Sequence, residues 1–271
     1  MATGEQNGPQ PVKSAMRTLE ILEIVAGSAD PPSLGDLARA LGIPKSSLFA
    51  ILRTMEQRDW VQRDVSGHRY RLGLRAMSVA AAFARNDDIV SLSEPLLDRL
   101  LAELQETVHL GRLDGVDIVY LAKRESPQLL RMFSAVGRRL PAYTTALGKS
   151  LLAELPEGEL DAHLPQQLIA YTPATITDRH ELHRELAATR ERGYALDNEE
   201  NSQGIGCVAV ALPTSSPPTD AISCSAPILR LGPDRRELVI ERLLAAREEI
   251  ARMRSPMVTG IGSPKSTPGA S

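Results

Sequence analysis

Little in this 271-residue chain is aromatic: one tryptophan, five tyrosines and three phenylalanines make up 3% of it. Its cores must therefore be built from Leu, Ala, Val and Ile. Cysteine is almost as scarce. Cys207 and Cys224 cannot form a disulfide framework, and both fall in apolar strand patterns, which predicts buried, reduced thiols and a cytoplasmic location. No run of 18 apolar residues occurs, which excludes a membrane-spanning helix. Met1 to Pro11 is rich in Gly, Gln, Asn and Pro and has no apolar h-region, so residues 1–12 read as a disordered leader rather than a signal peptide. Catalytic signatures are missing too. Gly148-Lys149-Ser150 ends like a phosphate loop, but Tyr143 stands where the first glycine is needed. His180-Glu181-Leu182-His183 lacks the spacing and the added ligands of a zinc helix, and no Gly-x-Ser-x-Gly elbow exists. No metal, cofactor or enzymatic activity is expected.

What is present is ordinary for a soluble globular chain, with 42% apolar and 24% charged residues, and the length suits two domains. Residues 33 to 72 are the most informative. Ser33-Leu34-Gly35-Asp36 resembles a capping box, and Leu34, Leu37, Ala38 and Leu41 recur at helical spacing. Gly42-Ile43-Pro44 breaks this helix and starts another, in which Leu48, Ile51, Leu52 and Met55 share one face. Ser46, Ala50 and Arg53 lie opposite, flanked by Ser47 and Phe49. Such a face, small, polar and basic, suits a major groove. A basic hairpin follows: Trp60–Arg63, a turn, then His68–Leu72, with Tyr70 and Leu72 expected inward and Arg69 and Arg71 outward. Residues 40–75 carry seven Lys or Arg against three Asp or Glu, a local positive surplus in a chain whose net charge is −3. Phosphate binding follows the local field. The pattern reads as a winged helix-turn-helix with Lys45, Ser46, Ser47, Phe49, Arg53, Arg69 and Arg71 facing DNA. A protein-docking module is the alternative.

Before this module the spacing predicts a helix from Ser14 to Gly27, with Ala15, Leu19, Leu22 and Ala26 on its buried face. After it, Leu74–Arg85 is Ala-rich and reads as a connector helix able to pack against a twin. A second domain opens with a helix carrying Leu92, Leu96, Leu97, Leu100, Leu101 and Leu104. A hairpin about Asp114-Gly115 follows, then a strand at Leu129–Ser134, a helix capped by Thr144 or Thr145, and helices near 157–163 and 177–192. Strands at Tyr194–Asp197, Gly204–Leu212 and Ala221–Ser225 and a helix at Pro233–Met253 complete it. The fold class is α+β: a winged helix-turn-helix domain (13–73), a connector helix (74–88) and an antiparallel-sheet domain (89–254), with a disordered tail (255–271).

Taken in order, Ala15-Met16-Arg17-Thr18-Leu19-Glu20-Ile21-Leu22, Gly42-Ile43-Pro44-Lys45-Ser46-Ser47 and Tyr70-Arg71-Leu72-Gly73 resemble the isocitrate-lyase-regulator (IclR) family of bacterial transcription factors. So do Leu140-Pro141 with Thr145-Ala146-Leu147-Gly148-Lys149, Gly193-Tyr194-Ala195-Leu196-Asp197-Asn198-Glu199-Glu200, Gly204-Ile205-Gly206-Cys207-Val208-Ala209 and Ile222-Ser223-Cys224-Ser225-Ala226-Pro227. The resemblance spans roughly residues 14 to 253. It implies a GAF-like domain binding a small-molecule effector, often a carboxylate, and homodimers that pair into tetramers on double-stranded operator DNA. It also implies effector contacts at Met132, Leu140, Thr145, Ala146, Leu147, Asp197, Ile205, Cys207, Ser223 and Ser225. Leu147 is bulkier than the residue many members carry there. The expected function is a ligand-responsive transcriptional regulator of a carbon-source or small organic acid catabolic operon. The enzyme alternative would need a base–nucleophile pair beside the effector site, and no convincing one is found.

Overall fold

The computed structural model describes residues 12–132, 134–156 and 158–254; the expected tail and all but the last residue of the expected leader lie outside them. The chain divides into two compact units, Met1–Asp87 and Asp88–Ser271.

The first unit runs α1 (Lys13–Gly27), α2 (Leu34–Leu41), α3 (Lys45–Gln57), a hairpin of β1 (Val61–Arg63) and β2 (Tyr70–Leu72), and α4 (Leu74–Asn86). The capping box at α2 is formed: Asp36 N donates to Ser33 Oγ at 3.2 Å and Ser33 N to Asp36 Oδ2 at 3.0 Å. Gly42, at φ 62°, closes the helix in the left-handed region. Leu37, Leu48, Leu52, Met55, Val61 and Tyr70 form the core with Ile21 and Val25 of α1. The α1 expectation is corrected here: Ala15, Leu19 and Ala26 are exposed, and the helix buries Ile21 and Val25 instead. Two apolar stripes compete on this helix, and packing on α2, α3 and β2 selects the second. Leu72 is also 37% exposed rather than inward, because the three-residue strand ends there.

A tight junction fixes the exit of the hairpin. Gly73 N donates to Trp60 O at 2.8 Å and Arg75 N to Asp59 O at 3.1 Å. A Cβ at Gly73 would lie 2.0 Å from Asp59 O, so only glycine fits.

In the second unit α5 (Asp88–Leu104) starts earlier than the predicted opening near Ser91, because Ile89 and Val90 also bury. Six strands follow the order β5-β4-β3-β8-β7-β6, all antiparallel. They are β3 (Thr107–Asp114), β4 (Asp117–Arg124), β5 (Arg139–Pro141), β6 (Ala195–Asn198), β7 (Ile205–Leu212) and β8 (Asp220–Pro227). Gly115, at φ 61°, makes the β3–β4 turn. Among the described residues of 129–134 no strand forms, and Leu129 is 98% exposed. The strand lies further on, as Gly137 turns the chain and donates to Tyr120 O at 2.8 Å, bringing β5 against β4. Alternation then splits the strands between two cores. One face, with Val108, Leu110, Val208, Ile222 and Cys224, packs on α5 and α8 (Pro233–Arg254). The other, with Ile118, Tyr120, Cys207, Ala209 and Ala221, packs on α6 (Ala146–Leu152) and α7 (Arg179–Arg192). Near 157–163 only a short 3₁₀ turn, Leu160–His163, is found.

Candidate DNA interface and ligand face

In the first unit the buried side of α3, Leu48, Leu52 and Met55, sets the orientation of the outward side. Lys45, Ser46, Ser47, Ala50 and Arg53 are exposed, and Phe49 is 44% exposed despite its size. The hairpin beside it is braced by its own charges. Arg63 forms a two-point pair with Glu56 (2.7 and 3.2 Å) and lies 5.6 Å from the Tyr70 ring centre, so its charge is spent within the fold. Asp64 holds the turn, accepting from Ser66 Oγ at 2.8 Å and from the backbone of His68 and Arg69 at 3.2 Å. Those bonds, the Ser66 hydroxyl first, hold its carboxyl below the usual range. Arg69 and Arg71 are both exposed, as expected, but they differ: the Arg69 guanidinium donates to Pro31 O at 2.8 Å and ties the hairpin to the start of α2.

In the second unit the expected ligand residues gather on the α6–α7 side of the sheet. Asp197 (β6) lies opposite Cys207 (β7), and Cys207 opposite Ser225 (β8); the thiol donates to the Ser225 hydroxyl at 3.1 Å. Ser223 shares that face, two residues along β8. Leu140, Ala146 and Leu147 are buried in the apolar cluster, and Met132 and Ile205 pack against it half-buried. The bulk of Leu147 is accommodated by Gly111, where a Cβ would lie 3.0 Å from Leu147 Cδ1. Of the two cap candidates the structure uses Thr145, whose hydroxyl accepts from Gly148 N at 2.9 Å as the cap of α6. Thr145 N also donates to Ala142 O at 3.2 Å, so the start of this seven-residue helix is partly satisfied within the fold.

Lys149, the lysine of the phosphate-loop-like string, serves as an internal anchor. It is 1% exposed and meets Glu200 at 2.7 and 2.8 Å and Glu185 at 3.4 Å, while Arg192 meets Glu185 at 2.7 Å. Asp197 Oδ1 accepts from Glu200 N at 2.7 Å. Burial, and then the Glu200 charge, push Asp197 up to about 7.

Three residues of this face escape sequence reasoning: His109, Tyr120 and Ser134. His109 and Tyr120 stack, with ring centres 4.5 Å apart, and His109 Nε2 meets Ser134 Oγ at 2.8 Å. Burial, with Lys123 nearby, lowers His109 to about 3, so the imidazole is neutral. The available signal was a histidine and a tyrosine at inward-facing positions of predicted strands. Two surface hollows, about 510 Å³ beside Tyr194 and Arg236 and about 590 Å³ beside Gln166 and Arg179, share none of these residues.

Comparison with known proteins decides the family. Residues 81–252 match the model described as bacterial transcriptional regulator IclR C-terminal, and residues 14–65 match the IclR helix-turn-helix domain. The chain belongs to the IclR family. Among IclR relatives, the HTH-type transcriptional regulator XynR of Escherichia coli K12 is 38% identical over 73% of this chain and 79% of its own. The transcriptional repressor IclR of the same strain is 33% identical over 83% of each. The Thermotoga maritima IclR structure matches 89% of this chain and 98% of its own, at 32% identity and a TM-score of 0.71. An IclR homologue from Microbacterium hydrocarbonoxydans complexed with 4-hydroxybenzoate shares the fold (TM-score 0.73, 21% identity, 88% of this chain and 99% of that one). IclR relatives are transcriptional regulators rather than enzymes, and the helix-turn-helix implies DNA binding here. Among the described residues no helix is long and apolar enough to cross a membrane.

Proposed function

We propose that this IclR-family chain is a cytoplasmic, ligand-responsive repressor of an operon for a small organic acid or other carbon source. Ser46, Ser47, Phe49 and Arg53 meet base edges, while Lys45, Arg69 and Arg71 meet phosphates. The reading rests on the outward side of α3, which is polar, basic and exposed while its leucines are anchored behind it. Met132, Leu140, Ala146, Leu147, Asp197, Ile205, Cys207, Ser223 and Ser225 contact the effector, with Thr145 supporting them through its cap. The effector acts through a difference in its affinity for two DNA-binding states, a coupling of about 1–3 kcal/mol.

Self-association follows the same reading. Leu74, Met77, Val79 and Phe83 of α4 are all more than half exposed, and α4 buries no residue in the single chain. A homodimer formed on this helix, pairing into a dimer of dimers, reads a near-palindromic operator with half-sites about one helical turn apart. Footprinting the full chain on promoter DNA from its source organism, with and without organic acids, tests the whole. A protected near-palindrome that an acid weakens or strengthens is expected. Protection unchanged by every acid that binds the protein overturns the ligand response.

A further inference from the structure

Three buried side-chain polar atoms find no hydrogen-bond partner among the described residues: Ser93 Oγ, Arg236 Nε and His109 Nδ1. The first two belong to α5 and α8, on the opposite side of the sheet, so His109 Nδ1 alone of the three lies on the α6–α7 side. A buried polar atom left unpaired is rare in a folded chain and asks for a partner. The ring that carries it is fixed. It is fully buried, stacks on Tyr120 with centres 4.5 Å apart, and its Nε2 meets Ser134 Oγ at 2.8 Å. Lys123, its register partner on β4, turns Nζ to Ser134 O at 2.6 Å. On the other side β8 sets Ser223 directly opposite His109, and Ser225 one diagonal step away, opposite Thr107. Opposed residues on neighbouring antiparallel strands hold their Cβ atoms about 5 Å apart, so the His109 ring and the Ser223 hydroxyl border one patch of the face. Asp197 stands three strands away, roughly 14 Å by strand spacing.

We propose that His109 is a further effector contact, its Nδ1–H donating to a carboxylate oxygen of the organic acid beside the Ser223 hydroxyl. Ser134 sets the tautomer: when its hydroxyl donates to Nε2, the single proton of the neutral imidazole sits on Nδ1. Nδ1–H and the Ser223 hydroxyl then present two donors to the two oxygens of one carboxylate. This end of the face suits an anion, because the Lys123 ammonium is held next to Ser134 while Asp197 stands at the far end. The inference rests on the ligand-responsive reading above and adds a residue and an orientation to it: the acid's charged end at β3 and β8, the rest of the molecule toward Cys207 on β7. Such a contact discriminates well, since a ligand without the acceptor leaves the buried N–H unpaired.

The test uses the full chain at neutral pH and a set of acids: acetate, propionate, lactate, benzoate and 4-hydroxybenzoate. Affinities are measured by calorimetry. His109→Leu should weaken the tightest-binding acid about tenfold or more. His109→Asn, whose side-chain amide places an N–H near the position of Nδ1, should recover most of that loss. Asparagine neither stacks on Tyr120 nor reaches Ser134, so its recovery separates a ligand contact from a packing role. A second readout needs no variant to fold: in the parent chain labelled with ¹⁵N-histidine, the bound acid should move the His109 Nδ1 resonance. An acid that binds both variants as tightly as the parent, or that leaves this resonance in place, overturns the inference and keeps the ligand-responsive reading intact. Equal loss in both variants assigns His109 to packing and overturns it as well. If no acid binds the parent, the inference and the organic-acid reading fall together.

Discussion

Two buried titratable residues on the α6–α7 side of the sheet oppose each other in their response to pH. His109, lowered from 6.5 to about 3, is neutral in the fold and charged when unfolded under mild acid. The stability tied to it is complete above about 6.5 and is lost as pH falls toward 3. Asp197, raised from 3.8 to about 7, runs the other way: its contribution is complete below about 3.8 and is lost as pH rises through about 7. Between roughly pH 4 and 6.5 the two offset one another. Asp197→Asn should therefore gain on the parent as pH rises, by about 2–4 kcal/mol between pH 4 and 8. Urea unfolding of both proteins at pH 4.5 and 7.5 checks this, and a margin that fails to widen refutes it. Arg53 yields a second test at this scale. Arg53→Ala should cost about 1–3 kcal/mol on the cognate operator and relax discrimination at one base position. Equal losses on operator and scrambled duplex would remove it from base reading.

Among the elements, α6 is the most constrained. Its cap, Thr145, and its glycine, Gly148, face different penalties. A Cβ at Gly148 would sit 2.0 Å from Ala142 O, against backbone that cannot yield cheaply. Gly148→Ala should cost about 3 kcal/mol or more, whereas Thr145→Ala, which forfeits one cap bond, should cost about 1 kcal/mol. Denaturation of the two variants tests the ranking. This helix also shows how far the sequence could be read. Caps and apolar periodicity are local signals, so α2, α3, α6, α7 and the β3–β4 hairpin were legible from a few residues each. The buried stripe of α1 was not, because Leu19 and Ile21 offer equivalent local patterns and only packing partners separate them. The segment 129–134 misled for a related reason: Leu129 and Leu130 remain exposed, and the Gly137 turn places the pairing strand several residues later. Most expected ligand residues do converge on one face of the sheet, yet His109 and Tyr120 were invisible as a pair. Their stacking depends on the β3–β4 register, which the bulge at Leu110/Gly111 shifts.

For the whole molecule, charge is distributed rather than balanced. The chain's net charge is −3, yet residues 40–75 carry seven basic and three acidic side chains. Glu56 pairs with Arg63 and Pro31 O engages Arg69, which leaves five exposed cations, Lys45, Arg53 and Arg71 with Arg58 and Arg75. Arg71→Ala should weaken binding to cognate and random DNA alike, and the slope of log affinity against log salt should become shallower by about one. A salt titration from low to moderate ionic strength measures it. An unchanged slope would mean that Arg71 touches no phosphate.

The Gly73 junction has a mechanical consequence. Because the first turn of α4 is bonded to Asp59 and Trp60, just past the end of α3, there is no slack between the two helices. A displacement of the first turn of α4 must therefore either carry Asp59 and Trp60 with it or break these two hydrogen bonds. What permits so close a junction is a single residue that lacks a side chain.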